Sequence, residues 1–454
     1  MIRKTVRFLD QRTGDAPLVR KTLRYLFPDH WSFLLGEVAL YSFVILVLTG
    51  TYLAFFYTPS TKEITYHGPY APLRGQQMSE AYHSVLDIST SVRAGLLIRQ
   101  THHWAADVFI AAIFLHLLRV FFTGAYRKPR ELTYVIGITI LVVSLLEGYM
   151  GYSLVDDLLS GMGLAIGYAV AISLPFVGGN FGELIWHGPF PGTEAFWSRM
   201  YIAHVFLVPA LLALLLTAHL GLVALKHHTQ FRRSDPRATQ RKLVGVPLYP
   251  GQTPRSLGLF LITAGVLFLL GGLVQINPIW LWGPYHTYLS TNGAQPDWYL
   301  GWLIGGLRLV PGFDVTIGSY TLVPNPFWGG ALFPLVVFGF LLAWPMLERR
   351  FITHDDGFHN LADRPRDAPL RTAIGIGVFT WVTLVFVAGG IDRVAVMFDL
   401  SYTAAIWAFR FLIWVIPVLF GVIAYRVCVE LQRGEEAERV RKRAEHRAKA
   451  MAES

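Results

Sequence analysis

Apolar residues recur in runs of about twenty along the whole chain, the length at which a helix crosses a bilayer. The runs predict eight spans, at about Phe33–Tyr57, Ala94–Phe122, Tyr134–Leu154, Tyr201–Lys226, Leu257–Ile276, Phe327–Leu347, Thr372–Gly390 and Thr403–Val429. Val155–Ser198 is partly apolar, but Gly178, Gly179 and Pro189 break it too often for one clean span. The pattern predicts an all-α polytopic membrane protein. It divides into an amphipathic surface segment (1–32), four spans (33–230), four more spans (231–430) and a charged tail (431–454) that reads as solvated helix.

Charge orients this string of spans. Lys and Arg cluster at the N-terminus (Arg3, Lys4, Arg7, Arg12, Arg20, Lys21, Arg24) and after the second span (Arg127, Lys128, Arg130). They cluster again after the fourth (Lys226, Arg232, Arg233, Arg237, Arg241, Lys242, Arg255), after the sixth (Arg349, Arg350, Arg364, Arg366, Arg371) and in the tail. With eight spans all these clusters fall on one side, which the positive-inside rule makes cytoplasmic, with both termini there. An odd number of misread spans would scramble that agreement. The net charge of +9 is therefore a membrane feature and calls for no nucleic acid. The basic first thirty residues lack a small-residue cleavage site, so the first span is expected to serve as the insertion signal. The single cysteine, Cys428, excludes an internal disulfide, a CxxCH haem attachment and an iron–sulfur cluster held by this chain alone.

The candidate chemistry lies on the second and fourth spans. His102 and His116 are fourteen residues apart; His204 and His219 are fifteen apart. Either interval separates two imidazoles by about 21 to 22 Å along a helix. Fourteen steps leave the pair about 40° from one face, and fifteen about 60°. A lone histidine in an apolar helix is usually a satisfied core residue. Four at matched spacing on two spans do not fit that reading, because polar side chains in lipid are costly and functional. Two adjacent helices then offer two stacked imidazole pairs, which suit two iron porphyrins ligated from both sides, within a bundle of the first four spans. The outer pair is His102 with His204; the inner pair is His116 with His219.

The same interval recurs in glycine. Gly36 and Gly50 on the first span are fourteen apart, as are Gly137 and Gly151 on the third. Small residues let membrane helices pack on each other, but here they also make room for a flat macrocycle. Arg99 and Arg119 sit three residues outside His102 and His116, where haem propionates need cations. Glu147, inside the apolar third span, is a candidate proton acceptor at membrane depth, with Asp156 and Asp157 at its outer end.

Together, Arg99-x-x-His102, His116-x-x-Arg119, His204, His219, the glycine pairs and Pro296-Asp297-Trp298-Tyr299 resemble the cytochrome b subunit of quinol–cytochrome c reductases. The resemblance covers about residues 30 to 430. The fifteen-residue interval is similar to chloroplast-type relatives, whereas eight spans on one chain are similar to the bc type. Tyr152–Gly161 and Lys226–Phe231 are similar to actinobacterial members, which use menaquinol.

The resemblance implies two b-type haems, a quinol site near the outer face and a quinone site near the cytoplasmic face. It also implies a Rieske iron–sulfur partner, a c-type cytochrome subunit, membrane lipid and a homodimeric complex. Protons would leave outside and enter inside, in a bacterial cell membrane. In the family motif the acid is usually Glu; Asp297 is one methylene shorter, so its reach to the quinol hydroxyl calls for a bridging water. Asp297, Tyr299 and Glu147 are the candidate catalytic residues, with Pro296 and Gly163 flanking the outer pocket. A further family tyrosine corresponds to Ile304 here, so that contact is lost. At the inner site the mitochondrial-type histidine falls on Ala224, leaving His228, Lys226 and His227 as substitutes. That basic loop equally suits anionic lipid. Two rival readings remain: a di-haem quinone-reactive membrane anchor of a dehydrogenase, and a haem-free transporter with discontinuous helices. The first would not need Pro-Asp-Trp-Tyr, and the second leaves the histidines unexplained.

Overall fold

The computed structural model describes residue 8, residues 11–12, 16–231, 237–291 and 295–452. Eight of its helices are long and apolar enough to cross a membrane. We label them α1 (Trp31–Ala54), α2 (Gly95–Phe122), α3 (Glu131–Ser153), α4 (Glu194–Lys226), α5 (Leu248–Leu273), α6 (Phe327–Thr353), α7 (Pro369–Gly389) and α8 (Tyr402–Met451). All eight expected spans are helices, so the chain is an all-α polytopic membrane protein.

Their bounds differ from the hydropathy reading where polar residues continue the helix. α4 begins at Glu194, seven residues before the apolar run, because the first two turns bury Phe196, Trp197 and Met200 against Leu154, Leu164 and Trp186 instead of facing lipid. α8 runs straight from the last span into the charged tail. The broken connection after α3 forms two shorter helices, Leu158–Ile172 and Gly178–Trp186. Of the basic residues counted above, Arg3, Lys4, Arg7, Arg232 and Arg233 lie outside the described residues. The surface segment contributes the helix Ala16–Leu23, which carries Arg20 and Lys21 in its last turn.

The first four spans close into a ring: α1 on α2, α2 on α3, α3 on α4, and the start of α4 back on α1. α5 packs on the outside of this ring against α2 and α1. α7 and α8 pair closely, and the short helix Gly301–Leu309 lies against α7. Gly305 and Gly389 let these backbones meet, since a Cβ at either would fall about 2 Å from a facing carbonyl oxygen.

Loops on the basic side are stitched by strand pairs. Leu26–Phe27 pairs antiparallel with Val246–Pro247, and Gln230–Phe231 pairs parallel with Leu361–Ala362. Beneath them lies a buried ionic cluster. Arg371 pairs with Glu348 and with Asp363, which also lies 2.6 Å from Arg127. Tyr126 donates to the other Glu348 oxygen at 2.6 Å and accepts from the Trp344 indole at 2.6 Å. Both charges of the central pair are almost fully buried (1 % and 2 % exposed), yet each has several partners, which is what makes their burial tolerable.

Candidate di-haem and quinol sites

Each of the four bundle glycines faces one of the four histidines. A Cβ on Gly50 would lie 3.0 Å from His102 Cε1, and one on Gly151 would lie 2.5 Å from His204 Cε1. On Gly36 and Gly137 it would lie 3.4 Å from Cε1 of His116 and His219. The glycines thus clear the imidazoles themselves. Sequence spacing predicted room for a macrocycle; the immediate neighbour is the ring that would ligate it.

His102 and His204 come together with ring centres 6.3 Å apart. Two imidazoles bonded at about 2 Å to opposite sides of one metal ion put their centres roughly 6 Å apart, so the spacing fits a porphyrin iron. Thr49 and Glu147 stand beside the Nδ1 atoms of this pair, an arrangement that would leave Nε2 for a metal. His102 Nδ1 lies 2.9 Å from Thr49 Oγ1, and His204 Nδ1 lies 2.9 Å from Glu147 Oε1. Glu147 thus stands behind His204. His116 and His219 lie within electrostatic range of each other at the other end of the bundle.

The unequal intervals are reconciled by a π turn. Ala203–Leu207 at the start of the apolar part of α4 has five-residue hydrogen-bond spacing, with Val208 N–H donating to Ala203 O. A π turn absorbs one extra residue, so fifteen positions on α4 keep the rotational phase that fourteen keep on α2.

Both arginines next to the histidines keep a buried N–H without a hydrogen-bond partner. Arg99 uses Nε on Ser89 and Nη1 on the Asn277 carbonyl, leaving Nη2; Arg119 leaves Nε. The Asn277 side chain, also buried and unpartnered, lies on the strongly bent Ile276–Pro278 segment (φ 42°) beside Arg99. These free donors suit anionic propionates.

Asp297 is held from several directions. Leu300 N–H donates to its carbonyl and closes a short turn, while the Gln295 side chain bonds to Asp392, which also pairs with Arg308. Its carboxylate lies 2.8 Å from His103 Nε2 and accepts from Tyr299 Oη at 2.9 Å. Burial pushes this carboxyl up, but His103 and the two hydrogen bonds outweigh it and hold Asp297 below the usual range. Tyr299 reaches in over Gly148, where any side chain would meet its hydroxyl. Gly163 lies against the Tyr152 ring and its carbonyl accepts from Tyr149. Asp157 caps the helix that begins at Leu158 and Asp156 pairs with Ser79; burial pushes them up to about 6 and about 7. His103 and Asn277 were invisible in the sequence, because their meaning lies in contacts far along the chain.

At the basic-loop end of the bundle, His228 is enclosed by Tyr25, Phe27 and Phe33, and its Nδ1 is buried without a partner. Arg119 lies over the Phe33 ring at 4.1 Å, and Nη2 reaches Thr229 at 3.4 Å. Burial, then Arg119 and Arg130, push His228 down to about 4, so it is neutral at neutral pH. His227 stacks on Tyr25, and Lys226 ends α4 with its carbonyl bonded to Arg130.

Comparison with known proteins bears on the family of the chain. Residues 107–284 match the family model for cytochrome b(N-terminal)/b6/petB. The cytochrome bc1 complex cytochrome b subunit of Streptomyces coelicolor is 45% identical over 427 residues, covering 94% of this chain and 77% of that protein. Those of Corynebacterium diphtheriae and Mycobacterium tuberculosis are each 44% identical, with 94% of this chain covered and 78% and 77% of theirs. A solved structure of a hyperthermophilic respiratory Complex III shares the fold, with a TM-score of 0.66 at 20% identity over 92% of this chain and 99% of that one. By these relatives and this fold, the chain belongs to the family of cytochrome b subunits of cytochrome bc1 complexes.

Proposed function

We propose that the chain oxidises quinol near the outer face of a bacterial cell membrane, as the cytochrome b of a proton-translocating quinol–cytochrome c reductase. The facing of four glycines onto four histidines at two levels of one bundle carries the reading. Two b-type haems, one on His102 and His204 and one on His116 and His219, supply when bound two one-electron stations stacked across the bilayer. Arg99 with Asn277 serves the outer propionates and Arg119 the inner ones. Thr49 and Glu147 orient the outer imidazoles. Asp297 and Tyr299 mark the head-group end of the outer quinol site, and Asp297, His103 and Tyr299 keep that end pre-organised. His228, being neutral, offers a hydrogen bond to a quinone carbonyl in the inner aromatic pocket; the proton must come from elsewhere. Menaquinol as substrate, a Rieske protein and a c-type cytochrome as electron acceptors, a dimeric complex and cytoplasmic termini are part of the same proposal, supported by the likeness to actinobacterial relatives and by the basic-loop pattern. The same relatives leave the dehydrogenase-anchor reading without support.

The test is the reduced-minus-oxidised visible spectrum with haem per protein. Wild type should carry two b haems and His204→Ala one. A wild-type chain that binds none would overturn the proposal.

A further inference from the structure

One buried carboxylate on α2 belongs to no motif. Asp107 is 6 % exposed, lies within a membrane-spanning helix, and its Oδ1 has no hydrogen-bond partner. An acid in that position is costly and needs a reason. Asp297 and His103 act on it electrostatically, and the Trp298 indole donates a hydrogen bond to its carboxylate. No cation from a neighbouring helix pairs with it, among the described residues.

Its place on the helix is informative. His103, Asp107, Ile110, Phe114 and Leu118 follow each other at intervals of three and four, which is one face of α2. Ile110, Phe114 and Leu118 line a cavity of about 270 Å³, together with Trp298, Tyr299 and apolar residues of α3, α6 and α7. The cavity is apolar along its length. At its outer end the same helix face turns polar, first with Asp107 and then with His103. An amphiphile with an apolar tail and a hydroxylated ring matches that order, tail along the cavity and ring at the polar end. Asp297, by contrast, has one oxygen engaged by His103 and the other by Tyr299. Among the described residues Asp107 Oδ1, Glu147 Oε2 and Asp157 Oδ2 are buried carboxylate oxygens without a hydrogen-bond partner, and of these three Asp107 is the one on the α2 face that lines the cavity.

We infer that Asp107 is a catalytic residue of the outer site, taking a proton from the quinol hydroxyl while Asp297 acts as a positioning residue through His103 and Tyr299. The inference rests on the quinol reading above. In the step, the quinol O–H bond breaks, the proton bonds to Asp107 Oδ1, and one electron passes to the iron–sulfur partner. Asp107 and Asp297 thereby divide the work that one glutamate of the family motif is expected to do.

The experiment uses the purified complex, a short-chain menaquinol analogue, and stopped-flow reduction of the b haems across pH. Asp107→Asn should slow reduction on the order of 10²-fold, with the rate recovering as pH rises, while the spectrum and haem content stay those of wild type. In Asp107→Glu, quinol addition should raise a protonated-carboxyl band in the infrared difference spectrum that moves with carboxyl-¹³C glutamate and not with labelled aspartate. This second variant also decides the matter if Asp107→Asn fails to assemble. Asp107→Asn reduced within about threefold of wild type with an unchanged pH profile, or a band that follows aspartate in Asp107→Glu, overturns the inference. A wild-type complex whose haems quinol does not reduce would instead overturn the quinol reading itself.

Discussion

At the scale of single residues, function here depends on missing atoms as much as on present ones. Gly151 leaves His204 so little room that a methyl group would sit 2.5 Å from its Cε1, against 3.4 Å at Gly36 and His116. Gly151→Ala must therefore push the imidazole aside, whereas Gly36→Ala makes an ordinary contact. We expect Gly151→Ala to lower outer-haem occupancy toward one haem per chain and Gly36→Ala to leave two; haem per protein in the purified complex checks both. The sequence revealed these glycines because their interval repeats that of the histidines. It did not reveal His103, Asp107 or Asn277. His103 meets Asp297 194 positions away, and no local pattern records such a meeting. Asp107 reads as one more polar residue on a span until the cavity beside it is seen.

At the scale of elements, hydropathy found every span because length and apolarity are what a bilayer demands. It misplaced ends where a helix continues into polar surroundings, as at Glu194 and beyond Val429. It could not see the π turn at Ala203–Leu207, whose only trace is a count of fifteen where fourteen would do. The turn makes a sharp prediction. Deleting Phe206 should restore a regular helix in the same phase, and two haems should remain. Deleting Leu214, in the regular part of α4, should rotate His219 by about 100° and cost the inner haem. Pyridine haemochrome quantitation of the two deletion variants separates these outcomes.

At the scale of the whole molecule, the two halves are joined on the basic side by the strand pairs and by the Glu348–Arg371 cluster. Removing one member of a buried pair strands the other charge, at a cost of about 3–5 kcal/mol. Arg371→Ala should lower the midpoint of thermal unfolding of the solubilised complex by several degrees, without altering the haem spectrum below the transition. Glu348→Ala should do the same, and the double variant Arg371→Met/Glu348→Leu should recover most of the loss. The overall plan was legible in the sequence because clusters of Lys and Arg fall in every second connection. The cluster itself was not, since Arg371 and Asp363 read as ordinary loop charges until folding buries the arginine.

The π turn also bears on timing. Electron tunnelling rates fall steeply with separation, so a chain carrying current between two stations must hold them at a fixed gap. A regular helix would convert an inserted residue into a rotated ligand. The π turn takes up the insertion beside His204, and under the proposed di-haem arrangement the length counted along the chain is uncoupled from the gap between the stations. Loss of one residue at this turn is therefore expected to leave the separation of the two proposed stations unchanged.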